Sequence, residues 1–302
     1  MAVLVATVDG YHILTSSGER RTALEGRRVE ALSPGPQGTW IAVVDRHEIR
    51  QHGADGTWSG LAVSDLELTC LVTADDVVFA GAVGPRMLRL GTDGALTPLP
   101  AFDAVPGRDE WHAVGTALVV RSLSATAGTQ ALLANVHVGG ILRSDDGGAS
   151  WWPTIDVGAD VHEVRAHPTM RDVVMAAAAV GVCVSRDGGQ HFDVVDDGLH
   201  ATYARAIAFD GDDVLVSVSD GPFASGSAIY RAPVDAVERG FERVESGLPE
   251  WLDGNVDTHC LTAGGGKAAL ADASGAVWMR AGDARWSRAA TGLPRVTTVV
   301  VV

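Results

Sequence analysis

Two segments, residues 139–153 (GGILRSDDGGASWWP) and 181–195 (GVCVSRDGGQHFDVV), share the pattern S-x-D-x-G-x-x-[WF]. No other part of the chain constrains the fold as tightly. The fixed positions are Ser144, Asp146, Gly148 and Trp151 in the first copy, and Ser185, Asp187, Gly189 and Phe192 in the second, 41 residues further on. In such a turn the Ser and Asp oxygens bond backbone amides, glycine supplies positive φ, and the aromatic residue folds back onto a sheet. The pattern reads as a clasp between two strands. A calcium loop needs more oxygen ligands than this turn offers. A period near forty residues is the length of a four-stranded propeller blade.

Weaker copies extend the period along the chain. Third strands of successive blades centre on Ile13, Ile49, Leu88, Ile141, Val182, Ile229 and Val277, each preceded by a turn and an apolar second strand such as 40–44, 77–83 or 132–138. Degenerate boxes stand at 91–94 and 53–58, and Trp286 takes the aromatic place in the last copy. At this point the chain resembles the Asp-box (BNR) repeat propellers, a class that includes sialidases, sortilin-type receptors and bacterial binding proteins. The expected fold is an all-β, seven-bladed β-propeller, with six blades as the competing count. The resemblance is specific for fold and says little about function.

The two ends of the chain complete this reading. Residues 296–302 have the context of a first, innermost strand, yet no blade follows them, while residues 3–8 begin directly with a second strand. The C-terminal strand is therefore expected to complete the N-terminal blade and close the ring, which removes two open edges. The expected organisation is one domain over residues 1–302. Residues 98–110 read as an enlarged loop, and 256–263 as an innermost strand.

Composition bounds the partners. A formal net charge of −15 argues against nucleic acid, whose recognition rests on clustered Lys and Arg. Cys70, Cys183 and Cys260 sit in apolar runs and make an odd count, which reads as buried free thiols rather than a disulfide framework. The N-terminus has no basic region or cleavage pattern, and 296–302 is too short to span a bilayer, so a cytoplasmic protein without a membrane segment is expected.

Histidines mark the candidate site. His112, His162, His200 and His259 precede or open innermost strands, and His137 ends a second strand, so all five are expected at one mouth of the propeller. Asp156, Asp160, Tyr203, Trp251, Asp253, Asn255 and Asp257 lie near them in sequence. Imidazoles converging from several blades can hold zinc, copper or iron, or recognise a small molecule. The metal set is His112, His137, His162 and His259; the ligand-binding set is Trp111, Tyr203, His200, Trp251 and Asp257. The ordinary alternative is a histidine bonded to a neighbouring carbonyl at a strand start; His167, expected at the far end of its strand, and His191, within the second box, are read as structural.

The leading reading is a propeller that binds a small molecule or a metal at this mouth. A hydrolase or lyase, glycosidase-like, with His162, His259 or Asp257 as base, is the alternative, and a protein-interaction scaffold is the third. The sialidase reading that the resemblance invites fails on the residues. The first blade reads YHILTSSGERR without an F-R-[IL]-P motif, and Arg121, Arg165 and Arg205 with Glu163 and Tyr203 only imitate the required set.

Overall fold

The computed structural model describes every residue except Ala54, Asp55, Thr116, Asp156, Val157, Gly158 and Asp283. Seven antiparallel sheets form the blades of a seven-bladed β-propeller. All seven expected third-strand centres fall in third strands, from Ile13 in Gly10–Thr15 to Val277 in Val277–Ala281. The C-terminal strand Val296–Val301 pairs antiparallel with Ala2–Thr7 and supplies the innermost strand of the first blade. Among the described residues no helix is long and apolar enough to cross a membrane.

The chain divides into two compact units. In Met1–Arg28, Ala176–Cys183 and Val194–Val302, the core gathers Val3, Val5, Leu14, Leu215, Ile229, Leu261, Leu270, Val277 and Trp286. In Val29–Met175 and Val184–Asp193, one cluster is built on Ile41, Val43, Ile49 and Leu88, and another on Phe79, Met87, Phe102, Leu132 and Trp151. The enlarged loop holds the short helix Pro100–Asp103, whose Phe102 is fully buried, and a 3-10 turn Arg108–Glu110. The three cysteines are free and buried, and burial pushes the Cys70 thiol up to about 12.

One expected strand is corrected. The innermost strand of the last blade is Leu261–Gly264, not 256–263. Residues before it turn instead, with the Cys260 N–H donating to Asp257 O at 2.9 Å and His259 at φ +63°. Apolar alternation continues through this segment, but its backbone hydrogen bond is spent on the turn. A second departure is Leu252–Asp253, which pairs with Gly226–Ser227 and widens the sixth sheet.

Both complete Asp boxes form the turn their residues dictate. The Ser144 hydroxyl donates to Asp146 Oδ1 at 2.9 Å and accepts the Gly148 N–H at 2.8 Å; Ser185, Asp187 and Gly189 repeat this at 2.8 and 2.8 Å. The glycines serve close approach as well as positive φ. A Cβ on Gly148 would stand 2.8 Å from Leu99, and one on Gly189 2.8 Å from Leu133, both in the preceding blade. Arg143 adds a buried tie, donating to the Gly188 carbonyl and to Asp145. The Trp151 indole closes its own turn on Gly148 O at 3.1 Å. In the degenerate copy at 91–94, Asp93 Oδ1 accepts the Ala95 N–H. The copy at 53–58 includes Ala54 and Asp55, which lie outside the described residues.

The box carboxylates carry a pH signature. The Ser150 hydroxyl, with further hydrogen bonds from Ser144 and backbone amides, holds Asp146 below its ordinary value. At Asp187 partial burial pushes upward, but hydrogen bonds from His191, Ser185 and Gln190 prevail and hold the carboxyl well below the usual range. A depressed folded pKa contributes stability that is fully present above the unfolded value of about 3.9, and is lost as pH falls through the folded value. In thermal melts between pH 6 and pH 2, the Asp146→Asn/Asp187→Asn protein is therefore expected to show a flatter acid limb than the wild type. Parallel acid limbs would count against this role.

Candidate functional site

The fourth and fifth sheets bring two of the expected histidines together. His137 follows the strand Leu132–Val136, and its N–H donates to Val119 O at 3.1 Å. His162 is the second residue of Val161–Ala166 and is fully buried. Asp160, just before that strand, joins them: its Oδ1 lies 3.3 Å from Nε2 of each imidazole. One ligand atom from each of His137, Asp160 and His162 falls within 4.8 Å of the others.

Neighbouring bonds fix this geometry. The buried Asn135 amide donates to Val161 O at 2.8 Å, which ties the strand bearing His162 to the strand leading into His137. Ser122 Oγ donates to Asn135 Oδ1 at 3.3 Å and accepts the Val164 N–H at 2.9 Å. The turn after His137 is strained, because Val138, a buried β-branched residue, sits at φ +52°. Gly139 follows, where a Cβ would stand 2.5 Å from Val136 and 3.2 Å from Trp111. Strain of this kind costs about 1–3 kcal/mol and persists only where its surroundings hold it.

The electrostatics favour an anionic carboxylate between two imidazoles. Partial burial opposes the charge on Asp160. The two imidazoles beside it, His137 and His162, outweigh that effect and hold the carboxyl far below its ordinary range. Donors around a tetrahedral ion at 2.0–2.1 Å stand about 3.3 Å apart, which matches the two Nε2–Oδ1 separations here. Two imidazoles and one carboxylate form a donor set used for zinc and for non-haem iron.

The remaining expected residues fall elsewhere. His112 is exposed, with Nδ1 3.1 Å from Glu110 O, and gives no atom to this group. His259 lies in the half-buried turn described above and is likewise outside the group. Asp257, a candidate base, accepts Arg205 at 2.9 Å and the Thr258 N–H at 2.9 Å, with Arg295 at 3.7 Å, so its oxygens face cations. Tyr203 lies under Arg205, 5.8 Å from guanidinium carbon to ring centre. His200 and Trp251 meet edge to face at 5.0 Å, with the Tyr230 hydroxyl 2.9 Å from His200 Nδ1 and Arg243 over the indole. Trp111 is a core residue, buried and packed with Phe102 and Arg108 of the enlarged loop, rather than an exposed stacking platform. Asp156 lies outside the described residues.

Asp160 is the member that sequence reasoning placed nearby without giving it a role. Its signal was the Asp-x-His spacing with His162 at a strand start, which sets the carboxylate beside the imidazole. His137 comes from another blade, so the grouping depends on register between strands.

No protein-family model matches the chain, and no curated protein matches it in sequence. Solved structures share the fold. An ancestral GH74 enzyme superposes with a TM-score of 0.62 at 12% identity, over 99% of this chain and 39% of its own. The chain thus spans well under half the length of that enzyme. The computationally designed Ika8 protein gives 0.58 at 16% identity, over 92% of this chain and 80% of its own. U3-55K gives 0.55 at 13% identity, over 83% and 76%.

Proposed function

We propose that this chain is an Asp-box propeller that binds a divalent transition metal, zinc or iron, through His137, Asp160 and His162. The observation that carries the reading is the approach of three donor atoms from two blades to within 4.8 Å, with both imidazoles buried. Three protein donors leave a fourth position for water or a small molecule, the pattern of zinc sites that exchange ligands rather than of closed structural ones. Asp160 keeps the group in touch with solvent, since 30% of its side chain is exposed. The function supported best is therefore binding of a small molecule at the metal. A hydrolase follows if the bound partner is an activated water.

Competition for Zn²⁺ against a chromophoric chelator tests the reading. One tight site per chain, absent from the His137→Ala/His162→Ala protein, is the expected result; equal competition by both proteins contradicts it.

The strained turn offers a second check. Val138→Gly removes the positive-φ cost of about 1–3 kcal/mol and loses Val burial of similar size. The melting temperature is therefore expected to move little, while zinc affinity falls because the turn no longer fixes His137. Unchanged affinity would show that the strain does not serve the site.

A further inference from the structure

A second cluster of polar and aromatic side chains stands on the sixth sheet, at the segment that widens it. Pairing of Leu252–Asp253 with Gly226–Ser227 brings Trp251 beside the third strand, where 45% of the residue stays exposed. Arg243 lies over its indole, 4.3 Å from guanidinium carbon to ring centre, and donates to the Glu250 carbonyl. His200 meets the same ring edge to face at 5.0 Å. The adjoining turn is pinned, because Asn255 Nδ2 donates to Gly221 O at 3.2 Å and to Pro222 O at 3.1 Å. At the start of that turn stands Asp220, whose side chain is 84% exposed.

Hydrogen bonding sets the chemistry of His200. Its Nδ1 lies 2.9 Å from the hydroxyl of the buried Tyr230, and the two rings stack with centres 5.7 Å apart. A neutral imidazole has one donor and one acceptor nitrogen. A phenol donates more readily than it accepts, so Nδ1 accepts from Tyr230 and Nε2 carries the N–H. Burial, helped by Arg243 and opposed by Asp220, holds the imidazole pKa below its ordinary value and keeps the ring neutral near pH 7. Nε2 stands 3.7 Å from Asp220 Oδ1, too far for a direct hydrogen bond. The gap suits one atom that accepts from Nε2 and donates to the carboxylate. A hydroxyl does both, whereas an ammonium only donates and an ionised carboxylate only accepts.

We propose that His200, Asp220 and Trp251 bind a neutral saccharide. One sugar hydroxyl bridges His200 Nε2 and the Asp220 carboxylate, and an apolar face of the sugar ring lies against the indole. Charged ligands fit less well. Arg243 over the indole repels a cation, and the exposed Asp220, Glu250 and Asp253 repel an anion. Tryptophan supplies a large, rigid apolar surface at low conformational cost, which suits stacking on a sugar ring. All these residues belong to Val194–Val302, and the inference does not rest on the metal reading.

Isothermal titration with neutral and charged oligosaccharides tests this assignment. The neutral probes are cellopentaose, mannopentaose and xylopentaose; a glucosamine pentamer and pentagalacturonate supply the cation and the anion. Saturable binding of at least one neutral probe is expected, with weaker or no binding of the charged pair. Trp251→Ala is expected to raise Kd at least tenfold, and Asp220→Ala at least threefold. Trp251→Phe, which keeps an aromatic ring and guards against a folding defect, should fall between the wild type and Trp251→Ala. The saccharide proposal is overturned if no neutral probe binds the wild type, or if a charged probe binds as tightly as the neutral ones. It is equally overturned if Trp251→Ala and Asp220→Ala titrate like the wild type.

Discussion

Deletion of residues 296–302 is expected to leave the chain insoluble. The strand Val296–Val301 pairs with Ala2–Thr7 over five residue pairs, from Val3 with Val301 to Thr7 with Val296. Val296 and Val299 are buried against Cys260 and Leu261, and the Val299 N–H donates to His259 O at 2.9 Å. Each lost ladder hydrogen bond costs about 0.5–1.5 kcal/mol, and each buried Val about 1.5–3 kcal/mol. A domain holds only about 5–15 kcal/mol in total, so the loss takes much of the stability. It also bares the edge of a strand in which Val3, Leu4, Val5 and Ala6 are all buried, a template for aggregation. Soluble yield and a thermal melt decide the matter. A soluble truncated chain melting within a few degrees of the full chain would show that this strand is dispensable.

His162→Ala is expected to lower zinc affinity by at least about 100-fold, beyond the 10–100-fold that loss of an outer partner usually costs. The reason lies in the donor set. With the imidazole gone, only His137 and Asp160 remain, and the pair no longer defines three corners of a tetrahedron. His162 is fully buried, so the change also opens a cavity and lowers the metal-free melting temperature. Asp160→Asn separates the two effects. It keeps the volume and removes the anion, so affinity should fall with far less loss of stability. Equal zinc affinity in all three proteins would place the metal elsewhere or nowhere.

Most of the fold was legible because its signals are local. The Ser-x-Asp-x-Gly turn is specified within a few residues, and second and third strands read as apolar runs broken by turns. The closing strand was legible from its local context, since 296–302 follows a Gly-Leu-Pro junction of the kind that precedes other innermost strands, and residues 3–8 read as a second strand. The segment 256–260 misled because apolar content does not show where backbone hydrogen bonds go. Its Asp257–Cys260 turn ends the strand pattern early. Site residues were harder, because convergence depends on register between blades. His137 and His162 meet because Asn135 and Ser122 lock adjacent strands in step, a relation that spacing along the chain does not reveal. Trp111 shows the opposite failure. A tryptophan before an innermost strand looks available for stacking, but the helix carrying Phe102 covers it.

The most direct test of the central claim is elemental analysis by inductively coupled plasma mass spectrometry on untagged protein purified without chelator. The account predicts near-stoichiometric zinc or iron in the wild type, and loss of that metal from a folded His137→Ala/His162→Ala protein. A wild type that carries no transition metal and takes up none on dialysis against zinc or ferrous iron would contradict it. So would a double variant that retains the same metal content.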